Sequence, residues 1–316
     1  AYFFLHYAMM VAYIAQGGAN LQSFLGSDLL PGGTPQIFFA TFVGTSLLMA
    51  KPSWIEQINN AMVLAVGASF LCIVGIGAQS ADWSALTDAA NQHPEGIISC
   101  FPILFLALVY QNVVPTVVNN LEGDRTKIAQ SIVMGTTAPL FMFLAWNAVC
   151  LGNVSGSDTA DMDPVALLQR GAAGGSTLLA PLVTSFSVLA LITSLIGFSY
   201  GLMDAWTDIF GINQKSEAFG KYKPALYGLV YLPPLALSMT DPSIFYTALE
   251  YGGAFGVSTL FLVLPPLMIW KQRYQETDSP LITKPMVALG KVPLGALWVA
   301  ASTLILQQAA EKSGVL

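Results

Sequence analysis

The sequence predicts an all-α integral membrane protein, and three observations support this fold class. Hydrophobic residues make up 54% of the chain and charged residues only 9%, and the mean hydropathy is +0.63. A soluble domain usually carries about 25% charged residues, so this chain lacks the charge to cover a water-facing surface. The apolar residues form runs of about 20, the length of a helix that crosses a bilayer. Such helices satisfy their own backbone hydrogen bonds in hydrocarbon.

Nine apolar runs predict helices that cross the membrane. They cover residues 2–25, 36–50, 60–79, 97–119, 128–151, 178–203, 224–240, 242–269 and 286–308. The second span is short and the eighth is long, so either helix can be tilted or broken. Because no charged linker separates the spans, residues 1–316 are predicted to form a single polytopic membrane domain.

The composition also argues against several classes of protein. The net charge is −6 and there is no basic tract, which excludes a nucleic-acid partner. Cys72, Cys100 and Cys150 lie in apolar runs and are predicted to be small core residues, not a disulfide framework. His6 and His93 are the only histidines, which argues against a haem or a multi-histidine metal site. The chain carries no enzyme motif, so we predict neither catalysis nor a cofactor or metal.

Lys and Arg residues predict how the chain crosses the membrane. If the first span runs from inside to outside, ten of these residues face inside: Lys51, Arg125, Lys127, Lys215, Lys221, Lys223, Lys271, Arg273, Lys284 and Lys291. Only Arg170 and Lys312 then face outside. Because positive charges accumulate in cytoplasmic loops, this distribution favours an inside-to-outside first span.

The fourth span contains polar residues and a proline deep in the predicted membrane. Pro115 has no N–H group, so the carbonyl of Gln111 loses its helical partner. Gln111 and Asn112, which follow Tyr110, lie about 20 Å from the start of the span at 1.5 Å per residue. A discontinuous helix that lines a substrate cavity would provide partners for these groups. A simple proline kink, with amides bonded to a neighbouring helix, explains the residues equally well.

Two later spans contain further polar residues that are candidate ion or gating residues. The adjacent hydroxyls of Thr193 and Ser194 can ligate a hard cation, although membrane helices more often use such residues for packing. Glu250, near the start of the eighth span, can titrate within the membrane. It can also extend to the outer surface, which the sequence slightly favours.

The first span combines an aromatic residue, an amide and two glycines. Tyr13 and Gln16 precede Gly17 and Gly18, which allow either a ligand or a neighbouring helix to approach closely. The sequence does not decide between these two uses. His6 lies in the same span, where a lone histidine is more often a hydrogen-bonded packing residue than a proton relay.

Four segments resemble motifs of the tryptophan/tyrosine permease family, the hydroxy and aromatic amino acid permeases of the amino acid–polyamine–organocation superfamily. Tyr110–Pro115, followed by Glu122-Gly123-Asp124, is similar to the broken sixth helix of that family. The segments 12–18, 193–204 and 232–235 resemble its third, eighth and ninth helices, in the same order and spacing. The likeness covers essentially the whole chain and is greatest for the cyanobacterial and plastid branch.

This resemblance implies a leucine-transporter-like inverted-repeat fold with an eleventh helix. The nine spans then correspond to helices three to eleven, so the first two helices would be missing. The chain also starts Ala1-Tyr2-Phe3-Phe4, without Met and without the charged region and cleavage site of a signal peptide. We therefore expect sequence upstream of residue 1.

The resemblance also implies where the substrate binds. In the family the substrate lies near the midplane, between the broken first and sixth helices. Carried over by position, Tyr110, Gln111, Asn112 and Pro115 are expected at the substrate, with the third-helix residues Tyr13 and Gln16 facing them. Thr193 and Ser194 stand where relatives with sodium sites place hydroxyl ligands. Two positions depart from the family, because Gln111 replaces a frequent histidine and Asn112 replaces a small residue.

The resulting hypothesis is a secondary active transporter of tyrosine or tryptophan that works by proton symport and alternating access. Its partners are then the amino acid, the proton and the lipid bilayer. The expected location is a plastid membrane, either envelope or thylakoid, or a bacterial inner membrane. The alternative is a transport-inactive homologue that serves as a structural subunit of a larger membrane complex. The two missing helices and the loss of histidine at Gln111 motivate that alternative.

Overall fold

The structure, a computed structural model, describes residues 1–25, 32–89, 92, 94, 97–153, 179–240, 244–274 and 290–312. Every regular element in these ranges is helical, which confirms an all-α protein. His93, Arg170 and Lys284 lie outside the described residues, as do positions 178, 242–243 and 286–289 of the predicted spans.

Eleven α-helices make up the described part of the chain. They are α1 Tyr2–Leu25, α2 Thr34–Met49, α3 Pro52–Ser80, α4 Ile97–Ala107, α5 Val114–Asn120, α6 Arg125–Gly152, α7 Leu179–Phe210, α8 Glu217–Ser238, α9 Ile244–Tyr251, α10 Leu264–Tyr274 and α11 Lys291–Lys312. Short 3₁₀ turns cover Trp83–Leu86 and Gln111–Val113, and a π-helical segment, Gly252–Val263, joins α9 to α10.

Side-chain caps determine where two of these helices begin. The Asp124 carboxylate accepts hydrogen bonds from the backbone N–H groups of Thr126 at 3.0 Å and Lys127 at 3.2 Å. The bond from the Lys127 N–H contributes most to holding the pKa of Asp124 below its usual value. Ser216 accepts in the same way from the N–H of Phe219 before α8. These oxygens satisfy N–H groups that a helix start leaves without a partner.

Five helical segments in the described ranges are both long and apolar enough to cross a membrane. They are Pro52–Ser80, Arg125–Gly152, Pro181–Phe210, Ile244–Tyr274 and Lys291–Ala310. The apolar helix α2 has only 16 residues. Helices α1 and α8 are long, but polar residues such as His6 and Gln16 in α1 and Lys221 and Lys223 in α8 lower their hydropathy. Length and hydropathy therefore identify five of the nine predicted spans.

Helix α1 forms the centre of the packing. It contacts α2, α7, α8, α9 and the π-helical segment. Met10 and Ile14 of α1 are fully buried, together with Leu195 and Leu202 of α7 and Val230 of α8. The residues predicted to carry function on α1 are therefore held by neighbours on several sides.

Glycines allow two helical segments to approach α1 closely. A Cβ atom at Gly17 would overlap the ring of Phe39 on α2, and Gly18 contacts the same helix. A Cβ atom at Gly256 of the π-helical segment would lie 3.0 Å from Cβ of Leu5 on α1. Of the two uses that the sequence left open for Gly17 and Gly18, the structure shows packing against a neighbouring helix.

The prediction that all three cysteines are core residues is wrong for two of them. Cys150 is buried, whereas Cys72 and Cys100 are exposed. In a membrane protein an apolar residue can lie on the outer surface of a helix, where lipid takes the place of a protein core. An apolar run alone therefore does not show which side of the helix a cysteine occupies.

Hydrogen bonds that start from the Leu229 carbonyl join three helices. Pro233 has no N–H group, so the carbonyl of Leu229 in α8 has no helical partner. The Tyr7 hydroxyl on α1 donates a hydrogen bond to this carbonyl at 2.8 Å. The Trp206 indole on α7 donates in turn to the Tyr7 oxygen at 3.0 Å. One tyrosine therefore satisfies polar groups of both neighbouring helices.

Replacing Tyr7 with phenylalanine should destabilise this junction. The variant removes the donor for the Leu229 carbonyl and the acceptor for the Trp206 N–H. Each intramolecular hydrogen bond contributes about 1 kcal/mol net. We expect Tyr7→Phe to lower the midpoint of thermal unfolding of the full-length protein in detergent. Tyr222→Phe is the matched control, because Tyr222 on α8 is 49% exposed. Equal midpoints for the two variants would show that the hydrogen bonds of Tyr7 do not contribute to stability.

Candidate functional site

The fourth predicted span is interrupted where the sequence placed a break. Helix α4 ends at Ala107, and the chain at Val109 and Tyr110 is in no regular element. A 3₁₀ turn follows, and α5 starts at Val114, with Pro115 in its first turn. The prediction of a discontinuous helix between Val109 and Pro115 is therefore confirmed.

Short-range hydrogen bonds satisfy several polar groups of the break. The carbonyl of Gln111, which Pro115 deprives of its helical partner, accepts instead from the N–H of Val114. The Gln111 side-chain Oε1 accepts from the N–H of Tyr110 at 3.0 Å. A 3₁₀ bond therefore replaces the α-helical one that Pro115 removes. Gln111 caps the break with its side-chain oxygen.

Val109, at the start of the break, lies next to α1 and the π-helical segment. Val109 packs against a buried cluster formed by Leu5, Met9 and Val257. Tyr13 of α1 and Phe198 of α7 pack against the same cluster. The Tyr13 and Phe198 ring centroids are 5.6 Å apart. Unwound backbone and an aromatic pair therefore adjoin one cluster.

Polar side chains line the interface between α1 and α7. Tyr13 and Ser194 are joined by a side-chain hydrogen bond. Further along, Gln16 donates from Nε2 to Oδ1 of Asn20 at 3.2 Å, and Asn20 donates from Nδ2 to Ser187 Oγ at 2.9 Å. We call these five residues the polar seam. The structure thus brings together three predicted site residues, Tyr13, Gln16 and Ser194.

Helical spacing explains why these residues meet. Tyr13, Gln16 and Asn20 are separated by three and four positions, so they share one face of α1. Ser187 and Ser194 are seven positions apart and share one face of α7. Sequence reasoning did not select Asn20 or Ser187 as site residues, although this periodicity was a signal that pairs them with the predicted ones.

Thr193 behaves differently from its neighbour Ser194. Its Oγ1 donates to the carbonyl of Ala190 in the same helix at 2.9 Å. This local bond fits the packing interpretation of the hydroxyl better than a cation ligand. In the described part of the chain, no group of three or more His, Cys, Asp or Glu side chains is arranged to hold a metal ion.

The comparison with known proteins identifies the family of the chain. The sequence model of the tryptophan/tyrosine permease family matches residues 1–300. The chain belongs to this family. The resemblance of the four motifs therefore reflects true membership.

Individual members of the family are similar over most of the chain. A tyrosine-specific transport system of Haemophilus influenzae is 26% identical over 283 residues, which cover 87% of this chain and 68% of the relative. The tyrosine permease of Enterobacter agglomerans is 27% identical, covering 85% and 67%. The low affinity tryptophan permease of Escherichia coli is 25% identical, covering 89% and 69%. No solved structure matches the chain.

Some predicted site residues of this family member lie away from the polar seam. Tyr110 is 40% exposed beside the break. Glu250 is half-buried on α9, the helix that packs through Ala248 against Val11 and Ala12 of α1. The side chain of Asn112 lies outside the described part of the structure.

Proposed function

We propose that this permease-family protein transports an aromatic amino acid, tyrosine or tryptophan, by proton symport and alternating access. The observation that carries the proposal is the helix break at Val109–Val113 in a chain of this family. Val109 packs on the same buried cluster as Tyr13 of α1 and Phe198 of α7. The relatives named above are tyrosine or tryptophan carriers. The membrane is then a bacterial inner membrane or a plastid membrane.

The residues around the break suit an aromatic amino acid. The paired rings of Tyr13 and Phe198 offer a surface for a third ring, in an offset or edge-to-face arrangement. Tyr110, exposed at the break, offers a further aromatic surface. Backbone groups of the unwound segment are suited to the amino and carboxylate groups of the substrate, as in discontinuous membrane helices generally.

Gln111 has a double role in this proposal. Its Oε1 caps the Tyr110 N–H and so fixes the shape of the break. The Nε2 group of the same amide is a donor suited to the substrate carboxylate. Pro115 keeps α5 from continuing into α4 by removing one helical hydrogen bond. Asn112, beside them, contributes a second amide.

Alternating access requires segments that move relative to a stable support. The break between α4 and α5 interrupts the helical hydrogen bonds and is suited to serve as a hinge. Ser194 and Gln16 belong to the hydrogen-bonded seam, which holds α1 against α7. In this proposal Thr193 and Ser194 support gating, and Glu250 is a candidate for the ion.

Uptake by the reconstituted full-length protein tests the proposal. Proteoliposomes with an alkaline interior should accumulate labelled tyrosine or tryptophan above the external concentration, because inward proton flow drives the substrate inward. A protonophore should abolish the accumulation, and protein-free liposomes are the control. Failure to accumulate any aromatic amino acid would refute the proposal and favour the structural-subunit alternative.

Replacing Gln111 with alanine should weaken substrate binding. A hydrogen bond to a charged group contributes about 1.5–3 kcal/mol, so KM for uptake should rise about tenfold or more. Gln79→Ala is the matched control, because this exposed amide at the end of α3 bonds the carbonyl of Gly75 in its own helix. An unchanged KM for Gln111→Ala would remove Gln111 from the substrate site.

A further inference from the structure

His6 is a buried titratable side chain within α1, which the proposed site does not yet use. It is only 4% exposed. Its ring stacks on Tyr2 with the centroids 3.9 Å apart and meets the edge of Phe198 with the centroids 5.0 Å apart. His6 is therefore packed between two aromatic rings, and the geometry of its two nitrogens indicates a further role.

The hydrogen bond of His6 determines which nitrogen can bind a proton. Nδ1 lies 3.0 Å from the carbonyl oxygen of Tyr2. A carbonyl only accepts hydrogen bonds, so Nδ1 must carry the hydrogen. In the neutral ring the lone pair therefore lies on Nε2. That nitrogen faces Gly201 of α7, where a Cβ atom would be only 2.8 Å from it.

The groups around His6 form a path towards the end of α7. The Tyr2 hydroxyl donates to the Gly201 carbonyl at 3.2 Å. Asp204, one turn further along α7, acts electrostatically on Tyr2. The Asp204 carboxylate accepts from Nε2 of Gln214, at 2.7 Å, in the segment between α7 and α8. Tyr2 thus contacts both the imidazole of His6 and the backbone of α7.

The other described elements packed against α1 also carry titratable groups, which include Tyr227 and Tyr231 of α8. The π-helical segment faces Leu5 with Gly256, which is apolar. In α8, the carbonyl of Leu229 accepts a hydrogen bond from Tyr7. The charged residues Lys221 and Lys223 lie near the start of that helix. Helix α9 carries the half-buried Glu250, which is the competing candidate for a proton.

We propose that His6 is the proton-binding residue of the symport, an inference that rests on the proposed function. The incoming proton adds to the lone pair of Nε2 and converts the ring into an imidazolium. The Tyr2 carbonyl and the stacked Tyr2 ring stabilise this cation. Phe198 contacts both His6 and Tyr13, so its ring connects the protonated group with the substrate surface.

Two transport assays on His6→Gln test this role. A pH difference of about one unit drives about tenfold accumulation when one proton moves with each substrate. We expect His6→Gln to lose this accumulation, so that the inside-to-outside ratio falls to about one, while exchange of labelled for unlabelled substrate without a pH gradient continues. His93→Gln is the matched control, since it removes the other histidine and should keep both activities.

The outcomes separate this inference from the proposed function. Accumulation by His6→Gln at the level of the unsubstituted protein overturns the inference and leaves the proposed function standing. Loss of accumulation with retained exchange in Glu250→Gln, but not in His6→Gln, also overturns it and assigns the proton to Glu250. Absence of both activities in the unsubstituted protein refutes the proposed function itself.

Nitrogen-15 NMR decides the case in which His6→Gln also loses exchange. In the full-length protein labelled at histidine, the imidazole signals that the His6→Gln variant lacks are those of His6. We expect its Nε2 signal to change from an unprotonated to a protonated nitrogen as the pH is lowered through the range of coupled uptake, and tyrosine to shift the midpoint. An imidazole that stays neutral throughout that range, with and without tyrosine, overturns the inference.

Discussion

The interior of a membrane leaves no backbone polar group without a partner inside the protein, and the irregular parts of this structure follow from that constraint. Pro233 frees the carbonyl of Leu229, and the Tyr7 hydroxyl of another helix satisfies it. Pro115 frees the carbonyl of Gln111, and a 3₁₀ bond from Val114 satisfies it. The first solution ties three helices together, whereas the second is local and needs no neighbouring helix. The two prolines therefore have opposite effects, one stabilising packing and the other permitting a break.

The sequence predicted the helical class, the family and the position of the break, because each depends on local patterns. Apolar runs predict helices, and a proline beside two amides predicts an interruption of the helix. It did not predict which groups would meet across helices. The bonds from Tyr13 to Ser194 and from Asn20 to Ser187 depend on how α1 and α7 are placed against each other.

The errors have physical causes of the same kind. Cys72 was expected in the core, but an apolar residue in a membrane helix is equally stable against lipid, so hydropathy does not distinguish the two surfaces. Hydropathy also fails to identify some of the predicted spans, for a related reason. Helix α1 is central and contacts protein on several sides, so it can hold His6 and Gln16, and its hydropathy is lowered as a result. Helices that pack against protein on several sides are thus harder to recognise as membrane spans than helices that face lipid.

The contacts between α1 and α7 run antiparallel along most of α1. Tyr2 meets Gly201, His6 meets Phe198, Tyr13 meets Ser194 and Asn20 meets Ser187. Trp206 also donates to Tyr7, so sliding or separating these helices would break four interhelical hydrogen bonds. Each makes a net contribution of about 1 kcal/mol, and the ring packing would be disrupted as well. The bonds that close the α4–α5 break lie within the break itself, so the break can change its angle without losing contacts between α1 and α7. In the proposed transport cycle, the pair α1–α7 is therefore suited to be the fixed support, and the unwound segment is suited to move against it.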